Sequence, residues 1–145
     1  MLRAGFYYWF LRIAILVLSN LAPVGFASAQ TKALAERDTA LCINTKREIA
    51  PAVAIAACTR LIDTKGVTPP SLPRIYFQRG LAYANIGNTA RALAEYSKAI
   101  SLNPRFAEAY NNRGAIYKDK GEYDRAVADF DRAIGIKGPH TVQAL

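Results

Sequence analysis

Large and small residues return at steps of three and four from Ile75 to Ile86, and Tyr76, Gly80 and Tyr83 share one face. That period predicts a helix. Gly87 and Asn88 interrupt it. From Ala90 to Leu102, Ala92, Leu93, Tyr96, Ala99 and Ile100 mark a second helical face. Asn103 and Pro104 end it, because proline lacks an amide donor and blocks continuation. The pattern then recurs at a spacing of 34 residues, pairing Tyr76 with Tyr110, Arg79 with Arg113, Gly80 with Gly114 and Tyr83 with Tyr117. Gly87 pairs with Gly121, Ala92 with Ala126, Tyr96 with Phe130 and Ala99 with Ala133. Residues 73–106 and 107–140 therefore read as two helical hairpins. Gly80, Ala92 and Ala99 stand where two helix axes must come close, while Tyr83 and Tyr96 fill the space around them.

The 34-residue period, the Tyr-x-x-x-Gly-x-x-Tyr run, the later Ala, the aromatic and Ala, and Pro104 together resemble the tetratricopeptide repeat. The match covers about half of the chain. The resemblance implies an all-α fold, a right-handed solenoid of antiparallel helical hairpins whose first helices line a concave surface for peptides or protein helices. It implies no chemistry, so no enzymatic activity, cofactor or metal is expected. Members that grip chaperone tails use a lysine and asparagine clamp. Here its places in residues 73–106 hold Phe77 and Leu81, so that specialised function is not expected.

Upstream, residues 30–64 repeat the pattern faintly. Pro51 followed by AVAIAACTRLI reads as a helix with proline in its first turn, with Ala54, Ile55, Cys58, Leu61 and Ile62 inward. Leu34 to Glu48 would be its first helix. In that register Cys42 falls at the place of Gly80, and Cys58 at the place of Tyr96. Residues 65–72, with prolines at 69 and 70, form a connector. A Cys42–Cys58 disulfide is the economical reading of two cysteines on packed helices of an exported chain, and two buried free thiols are the alternative. No Cys-x-x-Cys pair is present for redox catalysis.

Composition changes the picture at the start of the chain. Residues 1–29 carry Arg3 and Arg12, no acid, an interrupted apolar run and Ala27-Ser28-Ala29. This is the pattern of a secretory signal peptide, with cleavage expected after Ala29 and a periplasmic or secreted product. A membrane-attached scaffold follows only if the segment is not cleaved. The net charge of +8 falls to +6 when the two arginines leave. That excess admits an envelope polyanion as an alternative partner. Because Lys and Arg interleave with acids and form no single-sign run, nucleic acid is disfavoured.

No enzymatic constellation is legible. His140, the lone histidine, sits in a Gly-Pro-His turn with no second ligand at metal spacing. Asp124, Asp129 and Asp131 interleave with Arg125 and Arg132 and read as a solvated, ion-paired face. Arg79 and Arg113 stand where the family usually has an apolar residue. Glu95 and Asp129 follow sixteen residues later, predicting a repeated ion pair between the helices of each hairpin.

The expected function is noncatalytic binding of another protein or peptide. The expected groove residues are Arg74, Phe77, Leu81 and Asn85 in one hairpin, and Glu108, Asn111, Lys118 and Asp119 in the next. An exposed Phe77 beside Leu81 would favour an apolar segment. Residues 141–145 supply no full capping helix, so the apolar face of the helix from Tyr123 to Ile136 should be partly open, for self-association or for a partner helix.

Overall fold

The computed structural model describes residues 24–43, 49–64 and 71–137. Among these the chain is all-α: α1 (Val24–Cys42), α2 (Pro51–Asp63), α3 (Leu72–Asn85), α4 (Thr89–Leu102), α5 (Ala107–Asp119) and α6 (Tyr123–Lys137). Two compact units divide the chain, Met1–Glu36 and Arg37–Leu145. The first is described from Val24 onward and is helical there. In the second, α3 packs with α4 and α5 with α6 as hairpins, α2 lies against α3, and α4 lies against α5. This is the helical repeat solenoid that the resemblance implies.

Each long hairpin turns on one glycine. Gly87 and Gly121 have φ of 75° and 76°, left-handed values that cost glycine little and other residues more. The Asn88 amide donates to the Tyr83 carbonyl at 2.9 Å, and the Glu122 amide to the Tyr117 carbonyl at 2.9 Å, so orphan helix-end carbonyls are satisfied the same way twice. Asn88 then starts α4 by accepting the Arg91 amide on its side chain at 3.2 Å.

The first hairpin differs from expectation at its ends. Its first helix begins at Val24 rather than Leu34 and stops at Cys42 rather than Glu48. Ala27, Ala29, Ala33 and Ala35 explain the early start, since alanine has the highest helix propensity. The cleavage point expected after Ala29 consequently falls inside α1. Residues 1–23, 44–48 and 65–70, His140 and the tail 141–145 lie outside the described residues.

The core is the predicted stripe. Tyr96, Ala92, Ala99 and Ala109 are at most 1% exposed and pack with Phe77, Phe106 and Ile116. Gly80, Gly114, Tyr117, Ala126 and Ala133 are buried, and Tyr76, Tyr83, Tyr110 and Phe130 are half-buried. A Cβ on Gly114 would meet Phe130 at 3.1 Å and the Ala126 carbonyl at 3.2 Å. In the first hairpin Cys42 and Cys58 are buried and joined as a disulfide with a Cα–Cα distance of 4.9 Å.

Candidate functional site

Each of two arginines ties three helices together. Arg79 on α3 donates through Nη2 to Glu95 on α4 at 2.9 Å and through Nη1 to Thr59 on α2 at 3.0 Å. Arg113 on α5 donates through Nε and Nη2 to both carboxylate oxygens of Asp129 on α6, each at 2.8 Å. Its Nη1 reaches Ser97 on α4 at 3.0 Å. The predicted ion pairs thus form, and each arginine also grips the second helix of the hairpin before its own. Arg79 lies over the Tyr76 ring at 5.5 Å, and Arg113 over Tyr110 at 5.6 Å. Asp129 holds the Arg113 guanidinium above its ordinary value, favouring the charged form.

The two clamps differ in quality. Asp129 meets Arg113 as a fork against a fork, the strong bidentate geometry. Glu95 offers one oxygen, leaving its Oε2 and the Arg79 Nε buried without a hydrogen-bond partner. Asp129 is only 5% exposed, so it does not belong to a solvated face with Asp124 and Asp131. Arg125 pairs with Glu122 and stacks on Tyr117 at 3.9 Å. The corresponding Arg91 stacks on Tyr83 at 5.3 Å.

Phe77 is not a groove residue. It is 5% exposed and packs on Tyr96 and Phe106 with ring centroids 5.7 and 4.9 Å away. The helical period explains the error, because Arg74, Gln78, Leu81 and Asn85 follow i, i+4, i+7, i+11 whereas Phe77 lies about a quarter-turn away, on the core side. Gln78, Leu81 and Asn85 line a small cleft of about 120 Å³ with Pro51 and Ala54 of α2 and Cys42 of α1. Gln78 is a buried polar residue, 9% exposed, that the sequence reading passed over.

Arg74 is exposed at the head of this line, over the Phe77 ring at 5.8 Å. On α5 Glu108, Asn111, Lys118 and Asp119 are exposed. The line corresponding to Arg74–Gln78–Leu81–Asn85 there is Glu108, Asn112, Ala115 and Asp119, which adds Asn112 and leaves Asn111 and Lys118 beside it. Asn112 donates to the Glu108 carbonyl at 3.0 Å. No group of His, Cys, Asp and Glu among the described residues could hold a metal ion. None of the described helices is long and apolar enough to cross a membrane.

Against known proteins, a family model described as a TPR repeat matches residues 86–121, and one described as a tetratricopeptide repeat matches residues 107–137. Two crystal structures of MamA are similar at 32% identity. One has a TM-score of 0.55 over 60% of this chain and 48% of the other, and the second 0.54 over 66% and 51%. The chain therefore spans about half the length of those relatives. The first TPR of Spaghetti (RPAP3), solved bound to the HSP90 peptide SRMEEVD, is similar at 23% identity, with a TM-score of 0.58 over 75% of this chain and 80% of the other. No curated protein matches.

Proposed function

We propose that this chain, a tetratricopeptide-repeat protein, is a noncatalytic interaction module of an exported protein, holding a peptide or helix against the face of its first helices. The carrying observation is the cleft beside α3, where Leu81 offers apolar area and Gln78, a largely buried polar residue, lines the wall. An extended peptide backbone carries donors and acceptors that an amide on such a wall can meet. Asn85 lines that cleft and Arg74 heads the same line of α3, while Glu108, Asn111, Lys118 and Asp119 are exposed along α5. The first TPR of RPAP3 binds a peptide, which supports a peptide as the ligand class here.

The cysteines support the compartment. A disulfide persists where thiols are not kept reduced, so the Cys42–Cys58 bond fits an oxidising compartment. With the basic-then-apolar start of residues 1–29, it supports export and removal of that segment after Ala29.

Selection of random displayed peptides on the chain tests the binding reading. Enriched peptides should lose at least tenfold in affinity against Leu81→Arg, since truncated or reversed central contacts dominate binding. Enrichment of none, or binding indifferent to Leu81→Arg and Gln78→Ala, rejects the groove.

A further inference from the structure

The repeat supplies its own measure of what is missing from α6. Leu93 and Ile100 on α4 are half-buried against a cluster to which the next hairpin contributes Phe106, Ala109 and Ile116. Thirty-four residues later stand Val127 and Ile134 on α6, 57% and 67% exposed, with Tyr123 at 66% on the same stripe. Same register and same apolar chemistry are covered in one hairpin and bare in the other. Beside the bare stripe, Asp131 lines a cleft of about 530 Å³ together with Arg105, Arg132, Ala128 and Gly135 among others. It is exposed and makes no hydrogen bond or ion pair among the described residues.

Asp131 carries the charge argument. At both inner junctions the arginine of a first helix reaches a hydroxyl on the preceding second helix: Arg79 to Thr59, and Arg113 to Ser97. The hairpin register places Asp131 at that same position on α6, so the acceptor for an incoming arginine is here a carboxylate. A cation meeting a carboxylate makes a stronger, charge-assisted bond than one meeting a hydroxyl. The face that seats against a preceding hairpin is also readable. It runs Leu72, Ile75, Arg79, Ala82 on α3 and, in the next hairpin, Phe106 just before α5 with Ala109, Arg113, Ile116 on α5.

We infer that the bare face of α6 is a docking surface for an amphipathic helix of another polypeptide, seated as a further first helix would be, with an arginine on Asp131. The occupant presents apolar residues at the first, fourth and eleventh positions of its contact stretch and arginine at the eighth. Val127, Ile134 and Tyr123 receive the apolar residues, as Leu93 and Ile100 do within the chain. This inference is independent of the cleft at Leu81, which lies on other helices.

The test uses the chain's own α5 as probe: a labelled peptide of residues 104–121, titrated into the full chain by fluorescence anisotropy. Saturable binding is expected. Val127→Asp, at a position too exposed to disturb folding, should weaken it about tenfold or more. Asp131→Ala should weaken it about threefold, the scale of a partly exposed ion pair. The Arg113→Gln peptide should lose a similar factor and become indifferent to Asp131→Ala. A peptide of this length is marginally helical alone, so the same segment is also tethered after Leu145 by a flexible linker. There it should raise the melting temperature over linker alone, and Val127→Asp should cancel the rise. Absence of both effects, binding unaffected by Val127→Asp, or binding abolished by Leu81→Arg overturns the inference. So does concentration-dependent association of the unmodified chain that Val127→Asp abolishes, which would give the face to a second copy.

Discussion

A Cβ built on Gly80 would stand 2.7 Å from Cε1 and 2.8 Å from Cδ1 of Tyr96, closer than carbon atoms tolerate. Tyr96 is 1% exposed and has little room to swing aside. The first hairpin puts Cys42 and Cys58 at these two places and closes the crossing with a covalent bond. The third puts Gly114 against Phe130. One helix crossing is thus built three ways, and the chemistry at each predicts a different response to substitution.

Gly80→Ala should destabilise the chain. The clash costs about 1–3 kcal/mol, and replacing glycine inside a helix returns only about 0.5–1 kcal/mol. At Gly114 the nearest atoms are 3.1 Å away or more, so Gly114→Ala should lie near zero. Urea midpoints of the two variants give the comparison, and a Gly80→Ala chain as stable as Gly114→Ala would contradict the crossing described.

Reducing the Cys42–Cys58 bond should cost roughly 3 kcal/mol, the chain-entropy value for a closed loop of about this size. The bond spans a sequence separation of 16. Apart from it, Asp38–Arg60, with Arg60 half-exposed, ties α1 to α2, and surface pairs contribute little. Denaturant unfolding with and without reductant reads the loss, and Cys42→Ser with Cys58→Ser should remove its dependence on reductant. An unfolding midpoint that reductant does not move would show the bond to be idle.

The hairpins were legible because their repeat is spelled in residues that cannot be exchanged cheaply: glycine at a close crossing, aromatics around it, glycine again where φ turns positive. The Arg79–Glu95 and Arg113–Asp129 pairs were legible too, since each combines a charge spacing with its recurrence. Less was readable where one helical face shades into another. Phe77 and Gln78 differ by a single step of about 100°, and an apolar residue at the boundary looks like a ligand contact until its neighbours Tyr96 and Phe106 are placed. Thr59 and Ser97 escaped for a different reason. A short hydroxyl carries no periodic signal, and its part in the junction depends on which hairpin stacks behind it. The early start of α1 followed from local alanine propensity overriding the expected boundary.

Asp129→Asn should be among the costliest polar substitutions. It leaves the Arg113 guanidinium, 19% exposed, without a counter-charge, a loss of about 3–5 kcal/mol for fully buried pairs and somewhat less here. Glu95→Asp should act in the opposite direction. A shorter carboxylate at the register of Asp129 can take both Nε and Nη2 of Arg79, satisfying the two buried atoms now unpaired, a gain of about 1 kcal/mol. Thermal melts of both variants decide, and a destabilised Glu95→Asp chain would show that the longer side chain is needed to reach Arg79.

Phe77→Ala and Leu81→Arg should separate stability from binding. Truncating a buried phenylalanine costs about 3–5 kcal/mol, so Phe77→Ala should lower the unfolding midpoint whatever the groove does. Leu81 is half-buried at the edge of the cleft, and an arginine there can reach solvent with its charged end. The folded chain should therefore tolerate Leu81→Arg while losing the selected peptides. A Phe77→Ala chain of unchanged stability would return that ring to the surface.

Burial pushes the Tyr96 hydroxyl up to about 12, above the value near 10 that tyrosine has in an unfolded chain. The folded state then keeps its proton in a range where the unfolded state has released it. By linkage, the contribution is complete below pH 10 and is lost as pH rises from about 10 to about 12, so alkali should unfold the chain through this ring. Absorbance at 295 nm in the native state should show one late tyrosine step near pH 12, and Tyr96→Phe should delete that step and flatten the stability loss above pH 10. If every tyrosine titrates together while the chain remains folded, the ring beneath Gly80 is open to water and the close crossing is wrong.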